Sequence, residues 1–110
     1  KSSACGVLYS TYMKPTNIPL TAFYFIPAKD DALPLILTNP MEIEGSIFGI
    51  SDSTGMIFVD DISPGRYYLI VWAPYSWIAA VESLNEEKPR VFYIELGKNH
   101  DFGIIYVPWP

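Results

Sequence analysis

The sequence predicts an all-β fold, a sandwich of about seven antiparallel strands that forms one domain over residues 1–110. Its apolar residues fall in short runs rich in Val, Ile, Phe, Tyr and Trp, and Pro, Gly, Asn and Asp separate these runs. Ten prolines spread along 110 residues leave little room for helices. Because no helical crossover is visible, we expect antiparallel rather than parallel pairing.

Nine segments match the strand pattern. They are Cys5–Tyr12, Leu20–Ile26, Leu33–Leu37, Ser46–Ile50, Met56–Asp60, Tyr67–Ala73, Ile78–Glu82, Val91–Leu96 and Phe102–Val107. Pro34 restricts the third segment to a sheet edge, a strand start or a bulge. The apolar residues of Ser76–Leu84 suit a short helix as well as a strand, so both alternatives stand for that stretch.

Composition excludes several classes of protein. Half of the residues are hydrophobic and 15% are aromatic, which is not the composition of a disordered chain. The net charge is -5, and the seven basic residues are scattered, so nucleic acid is not an expected partner. No apolar run reaches the length of about 18 residues that a transmembrane helix needs. The chain begins almost at its first strand, and we expect it to be a domain excised from a larger protein.

The single cysteine and the single histidine limit the chemistry. Cys5 has no cysteine partner, which excludes an internal disulfide. Residues 3–6 are similar to the end of a bacterial lipoprotein signal, but Ser2 replaces the usual aliphatic residue; the alternative is a buried thiol at a strand start. His100 is expected in an exposed polar turn, where it cannot serve a nucleophile as its base. We therefore assign no catalytic residue, no metal and no cofactor, and we predict that the chain is not an enzyme.

Adjacent carboxylates do not change this prediction. Asp60 and Asp61 would point to opposite faces of a strand and would not converge. Together with Asp52 they would supply only part of the six to eight oxygen ligands that calcium takes. Solvent-facing carboxylates are the expectation, with a structural ion as the alternative.

Residues 51–73 give the most local information. Asp52 and Gly55 predict a tight turn, and Pro64-Gly65 predicts a type II turn. Ile57 and Val59 share one strand face, and the residues at Tyr67, Leu69, Val71 and Ala73 share another. The simplest interpretation is an antiparallel hairpin with its apolar side turned inward.

This segment resembles the carboxypeptidase regulatory-like family. The family pattern is matched by Asp52, Gly55, Ile57, Val59, Ile62, Pro64, Gly65, Tyr67, Leu69, Val71 and Ala73. The strong match covers about a fifth of the chain. It implies a Greek-key sandwich of the transthyretin-like (prealbumin-like) fold. It also implies a place outside the cytoplasm, in bacterial lipoproteins or in surface and secreted proteins, where such modules act as scaffolds or bind other domains, proteins or glycans.

Aromatic residues supply the candidate binding site. Tyr68, Ile70 and Trp72 make the second side of their strand apolar, so a loop, another subunit or a ligand must cover that side. The connection from Ala28 to Ser46 is long enough for this. Aromatic platforms are typical of sugar and protein contacts. The candidate residues for such a platform are Tyr75, Trp77 and Trp109. The function expected first is a scaffold or interaction module, and the alternatives are a glycan or small-ligand binder and a transthyretin-like oligomer.

Overall fold

The protein is described by a computed structural model. The structure describes residues 2–10, 16–28, 43–73, 76–83 and 88–108. These residues form nine strands and no helix. The strands are β1 (Ser3–Ser10), β2 (Thr16–Asn17), β3 (Ala22–Pro27), β4 (Ile47–Ile50), β5 (Met56–Asp60), β6 (Gly65–Ala73), β7 (Ser76–Ala79), β8 (Phe92–Ile94) and β9 (Asn99–Val107). The predicted strand Leu33–Leu37 lies outside the described residues.

The first sheet is built around β1. Strand β9 runs parallel to β1 along one edge, from Ser3 to Ser10. The other edge is shared by β5, antiparallel to the stretch from Ser3 to Val7, and by β2, antiparallel to Tyr9 and Ser10. The parallel β1–β9 pair differs from the antiparallel expectation. It needs no helical crossover, because the other seven strands lie between the two in the chain.

The second sheet is built around β6, which is the longest strand of that sheet. Strand β3 pairs antiparallel with one edge of β6 and carries β4 on its outer side. Strands β7 and β8 share the opposite edge, β7 near the end of β6 and β8 near its start. The segment from Ser76 is thus a strand, and its helical alternative is wrong.

The core lies between the two sheets. Strict alternation turns Ile57 and Val59 of the first sheet inward, where they meet Tyr67, Leu69 and Val71 of the second. The ring of Phe25 packs edge-on against Phe23, Tyr67 and Phe92, with centroid distances of 6.0, 6.1 and 5.7 Å. Edge-to-face packing at this spacing is favourable for aromatic rings. The prediction of an all-β sandwich is therefore confirmed.

Strands β5 and β6 do not form the predicted hairpin. Strand β5 pairs with β1 and β6 pairs with β3, so the connection between them crosses from one sheet to the other. Ile62, inside this connection, is buried in the core, and Asp61 before it has a positive φ of 57°. The buried side chain holds the connection against the core, and the two strands lie in different sheets of the sandwich.

The second apolar side of β6 is covered over most of its length. Tyr68 and Ile70 point away from the main core and are nevertheless buried. Ile70 forms a smaller cluster with Tyr24 and Ile26, and Ile43 packs against it. Ile43 belongs to the connection between β3 and β4, which agrees with cover by the chain's own loop.

Candidate functional site

Of the three residues predicted to form an aromatic platform, the structure describes one. Trp77 lies in β7, half-buried, on the outer side of the second sheet. Tyr75 and Trp109 lie outside the described residues. The surroundings of Trp77 therefore define the candidate site.

Trp77 belongs to a row of four aromatic rings that crosses the second sheet. Its ring centroid lies 5.0 Å from that of Trp72 and 5.4 Å from that of Tyr24. Tyr24 in turn lies 5.1 Å from Phe48. We call Phe48, Tyr24, Trp77 and Trp72 the aromatic row.

Strand register places these rings together. Tyr24 is the cross-strand partner of Phe48, and Trp72 is the partner of Trp77. Directly opposed residues in an antiparallel pair have Cβ atoms about 5 Å apart, which is close enough for their rings to touch. All four side chains point outward, because the residues next to them in each strand pack toward the core: Ile47, Phe23, Phe25, Val71 and Ile78.

The two ends of the row are the rings most open to solvent. Phe48 is 53% exposed and Trp72 is 43% exposed, whereas Tyr24 is 8% exposed. The ring planes are tilted by 57° between Tyr24 and Phe48 and by 57° between Trp72 and Trp77. The row therefore offers two separate ring surfaces rather than one flat platform.

His100 occupies a different position from the predicted exposed turn. It lies in β9, half-buried, with its ring stacked on Phe102 at a centroid distance of 5.8 Å. Its Nε2 accepts a hydrogen bond from the backbone N–H of Glu95 at 3.0 Å. The prediction of an exposed turn residue is wrong, because the strand extends three residues further toward Asn99 than its pattern indicated.

The expectation of solvent-facing carboxylates is confirmed, since Asp60 and Asp61 are exposed. The two do not share a strand, because β5 ends at Asp60 and Asp61 begins the connection with a positive φ. Oδ1 of Asp52 accepts hydrogen bonds from the backbone N–H groups of Thr54 and Met56 and from the Thr54 hydroxyl, at 2.8, 3.0 and 2.7 Å. These bonds, led by the Thr54 hydroxyl, lower the pKa of Asp52. Across the described ranges, no three His, Cys, Asp or Glu side chains are grouped to hold a metal ion.

Cys5 lies on the outer side of the first sheet and is half-buried, so the thiol is not fully buried as expected. Burial of the sulfur, and next to it the charge of Asp101, raise the pKa of the Cys5 thiol. A raised pKa keeps the thiol protonated and therefore weakly nucleophilic at neutral pH.

Among the residues that the structure describes, no helix is long and apolar enough to cross a membrane.

No protein-family model matches this chain, and no curated protein sequence matches it significantly. The resemblance of residues 52–73 to the carboxypeptidase regulatory-like family thus stays a prediction.

Proposed function

We propose that this chain is a non-catalytic interaction module of a larger bacterial protein, located outside the cytoplasm. The observation that carries the proposal is the aromatic row, whose two end rings, Phe48 and Trp72, stay exposed on the outer side of the second sheet. Exposed aromatic side chains are enriched at protein interfaces and dominate their binding energy.

The rigidity of the row supports a binding role. Trp72 and Phe48 sit in paired strands, and each ring packs against a more buried ring, Trp77 or Tyr24. Binding of a partner would cost Trp72 and Phe48 little side-chain entropy, because the rotamers of these two residues are already restricted. Truncation of a ring at the centre of such a contact typically costs about 2 kcal/mol or more.

The location and the setting rest on the sequence resemblance. Domains similar to residues 52–73 occur in bacterial lipoproteins and in surface or secreted proteins, as spacers or as interaction modules. Partners of the proposed module are accordingly other domains of the parent protein or separate proteins.

Site-specific photocrosslinking in cells that produce the parent protein tests the proposal. A photoreactive phenylalanine analogue at position 48 or 72 should give discrete adducts, mappable by mass spectrometry to one protein or one neighbouring domain. Tyr93 is the matched control, because it is 62% exposed on β8 of the same sheet but lies outside the row. Adducts of equal yield from position 93, or none from 48 and 72, would contradict the interaction role.

Glycan binding is the second candidate function, favoured by the exposure of Trp72. The apolar face of a sugar stacks on such rings, and the indole N–H adds a hydrogen-bond donor. Titration of tryptophan fluorescence with a glycan panel should then give a saturable change that Trp72→Ala removes. No change at millimolar sugar would exclude this function.

Light scattering on the same samples tests the transthyretin-like oligomer, which requires a mass of several chains.

A further inference from the structure

The outer side of the first sheet holds a pocket that is separate from the aromatic row, which lies on the second sheet. Its volume is about 380 Å³, within the range typical of small-ligand sites. Its lining residues are Ser3, Cys5, Phe58, Asp60, Asn99, His100 and Asp101. They come from β1, β5 and β9, so the pocket stands on three paired strands rather than on loops.

Strand register arranges these residues in two rows across the sheet. In the first row Ser3 lies between Asn99 and Asp60. In the second row Cys5 lies between Asp101 and Phe58. The result is one apolar ring on β5, with hydrogen-bonding groups beside it on β5 and across the sheet on β1 and β9.

Phe58 supplies the apolar surface. It is 64% exposed, although a phenyl ring on a two-layer sandwich gains free energy when it is buried. Phe58 must point outward from β5, because Ile57 and Val59 on either side of it point into the core.

The polar groups of the pocket present both hydrogen-bond donors and acceptors. The Ser3 hydroxyl donates to Oδ1 of Asn99 at 2.6 Å, which leaves the Asn99 amide NH₂ as a donor. Oδ1 of Asp60 accepts from the Asp61 N–H, and Oδ1 of Asp101 accepts from the Gly103 N–H, each at 2.9 Å. Each carboxylate keeps its second oxygen as an acceptor.

We propose that this pocket binds one ring of a neutral polyhydroxylated ligand, a sugar, with its apolar face on Phe58 and its hydroxyls on Asp60, Asn99 and Asp101. A hydroxyl both donates and accepts, so it can use the carboxylate oxygens and the Asn99 amide together. An ammonium or guanidinium group only donates and would leave that amide without an acceptor. An anion would be repelled by the two carboxylates.

Amide NMR titration of the whole chain tests the proposal. The probes are methyl glycosides of glucose, galactose, mannose and N-acetylglucosamine at millimolar concentration. At least one should give saturable shifts centred on Cys5, Phe58 and Asn99. Bound sugar should also slow the alkylation of Cys5 by iodoacetamide several-fold, because the thiol lines the same pocket.

Two exposed aromatic residues on opposite sheets provide matched variants. Phe58→Ala should weaken binding at least tenfold, and Tyr93→Ala should leave it unchanged, since Tyr93 is exposed on β8 and lies outside both the pocket and the aromatic row. Asn99→Asp replaces the donor by an acceptor and should weaken binding to a similar degree. The dispersion of the amide spectrum shows in each case whether the variant is folded.

Three results would overturn the proposal. The first is the lack of any saturable shift with all four glycosides. The second is sugar binding that Phe48→Ala abolishes and Phe58→Ala does not, which would support the aromatic row instead. The third is methylguanidinium shifting the pocket residues when the sugars do not, because the pocket would then be a cation site.

Discussion

The phenolic hydroxyl of Tyr67 donates a hydrogen bond of 2.7 Å to the backbone carbonyl of Ser63, four residues earlier in the chain. Ser63 lies in the connection that crosses from β5 to β6, and the Tyr67 ring packs edge-on against Phe25 in the core. The bond therefore ties the crossing between the two sheets to the centre of the sandwich.

Removal of this bond should destabilise the fold modestly. Tyr67→Phe keeps the ring and its packing but deletes the donor, and a typical net loss is about 0.5–1.5 kcal/mol in the free energy of unfolding. Urea denaturation measures it. Tyr93→Phe serves as control, because Tyr93 is exposed and should change little. Equal losses in both variants would show that the Ser63 bond contributes nothing.

The same hydroxyl should make the protein sensitive to alkali. Burial raises the pKa of Tyr67 above its usual value. A raised pKa in the folded state means that the stabilisation is complete below the unfolded pKa, about 10, and is lost as the pH rises through the folded value. The stability gap between wild type and Tyr67→Phe should therefore narrow at high pH. Urea midpoints at pH ~8 and ~11 measure it, and a gap that widens would contradict the sign.

Alternation in the sequence predicted which side chains of β5 and β6 face the core, but not which strands pair. The inward positions of Ile57, Val59 and Leu69 follow from the two-residue period of a strand, and the structure confirms them. The same period is satisfied by a hairpin and by two strands that face each other across a sandwich. The pairing partners distinguish them: β5 pairs with β1 and β6 pairs with β3, and these pairings depend on contacts between segments distant in the chain, not on local pattern.

The candidate site was predictable only in part, for a related reason. Trp77 is predictable as a candidate because aromatic residues are typical of sugar and protein contacts. Its contacts with Tyr24 and Phe48 depend on pairing between strands that are distant in the chain. Phe58 falls on an outward position of a regular strand pattern, so nothing local marks it as part of a pocket.

Gly55 should tolerate substitution less well than Gly97. Both have positive φ, 87° and 73°, so alanine at either position should cost about 1–2 kcal/mol in backbone strain. A Cβ at Gly55 would also lie 3.1 Å from the carbonyl oxygen of Leu8 and from the backbone nitrogen of Ile18, whereas a Cβ at Gly97 meets no atom within 4 Å. The extra crowding should add roughly 1–3 kcal/mol. Thermal or urea unfolding of both variants measures the difference. Equal destabilisation would mean that the backbone of Leu8 and Ile18 shifts to accommodate the added Cβ at no cost in free energy.

Asp52 should make stability fall in acid. Its hydrogen bonds to Thr54 and Met56 favour the carboxylate and lower its pKa. A lowered pKa in the folded state gives stability that is present above the unfolded value, about 3.9, and is lost as the pH falls through the folded value. Asp52→Asn should therefore be less stable than wild type at neutral pH, and the two should converge at low pH. Glu44→Gln removes one negative charge at an exposed position and is the charge-matched control in the same urea series. A gap between wild type and Asp52→Asn that stays constant down to low pH would contradict the prediction.

Cys5 should react slowly with alkylating reagents, and Asp101 should account for part of the delay. Burial and then the charge of Asp101 raise the thiol pKa, so less thiolate is present at a given pH. Asp101→Asn removes the nearby charge and keeps a side-chain oxygen for the Gly103 N–H, so the pocket wall should stay in place. The rate of iodoacetamide alkylation at fixed pH should rise, and the pH profile should move toward lower pH, without reaching that of a free thiol because burial persists. Asp60→Asn makes the same charge change at the next row of the sheet and should move the profile less. An equal shift in both variants would mean that the thiol pKa of Cys5 depends on the overall charge of this face rather than on Asp101 in particular.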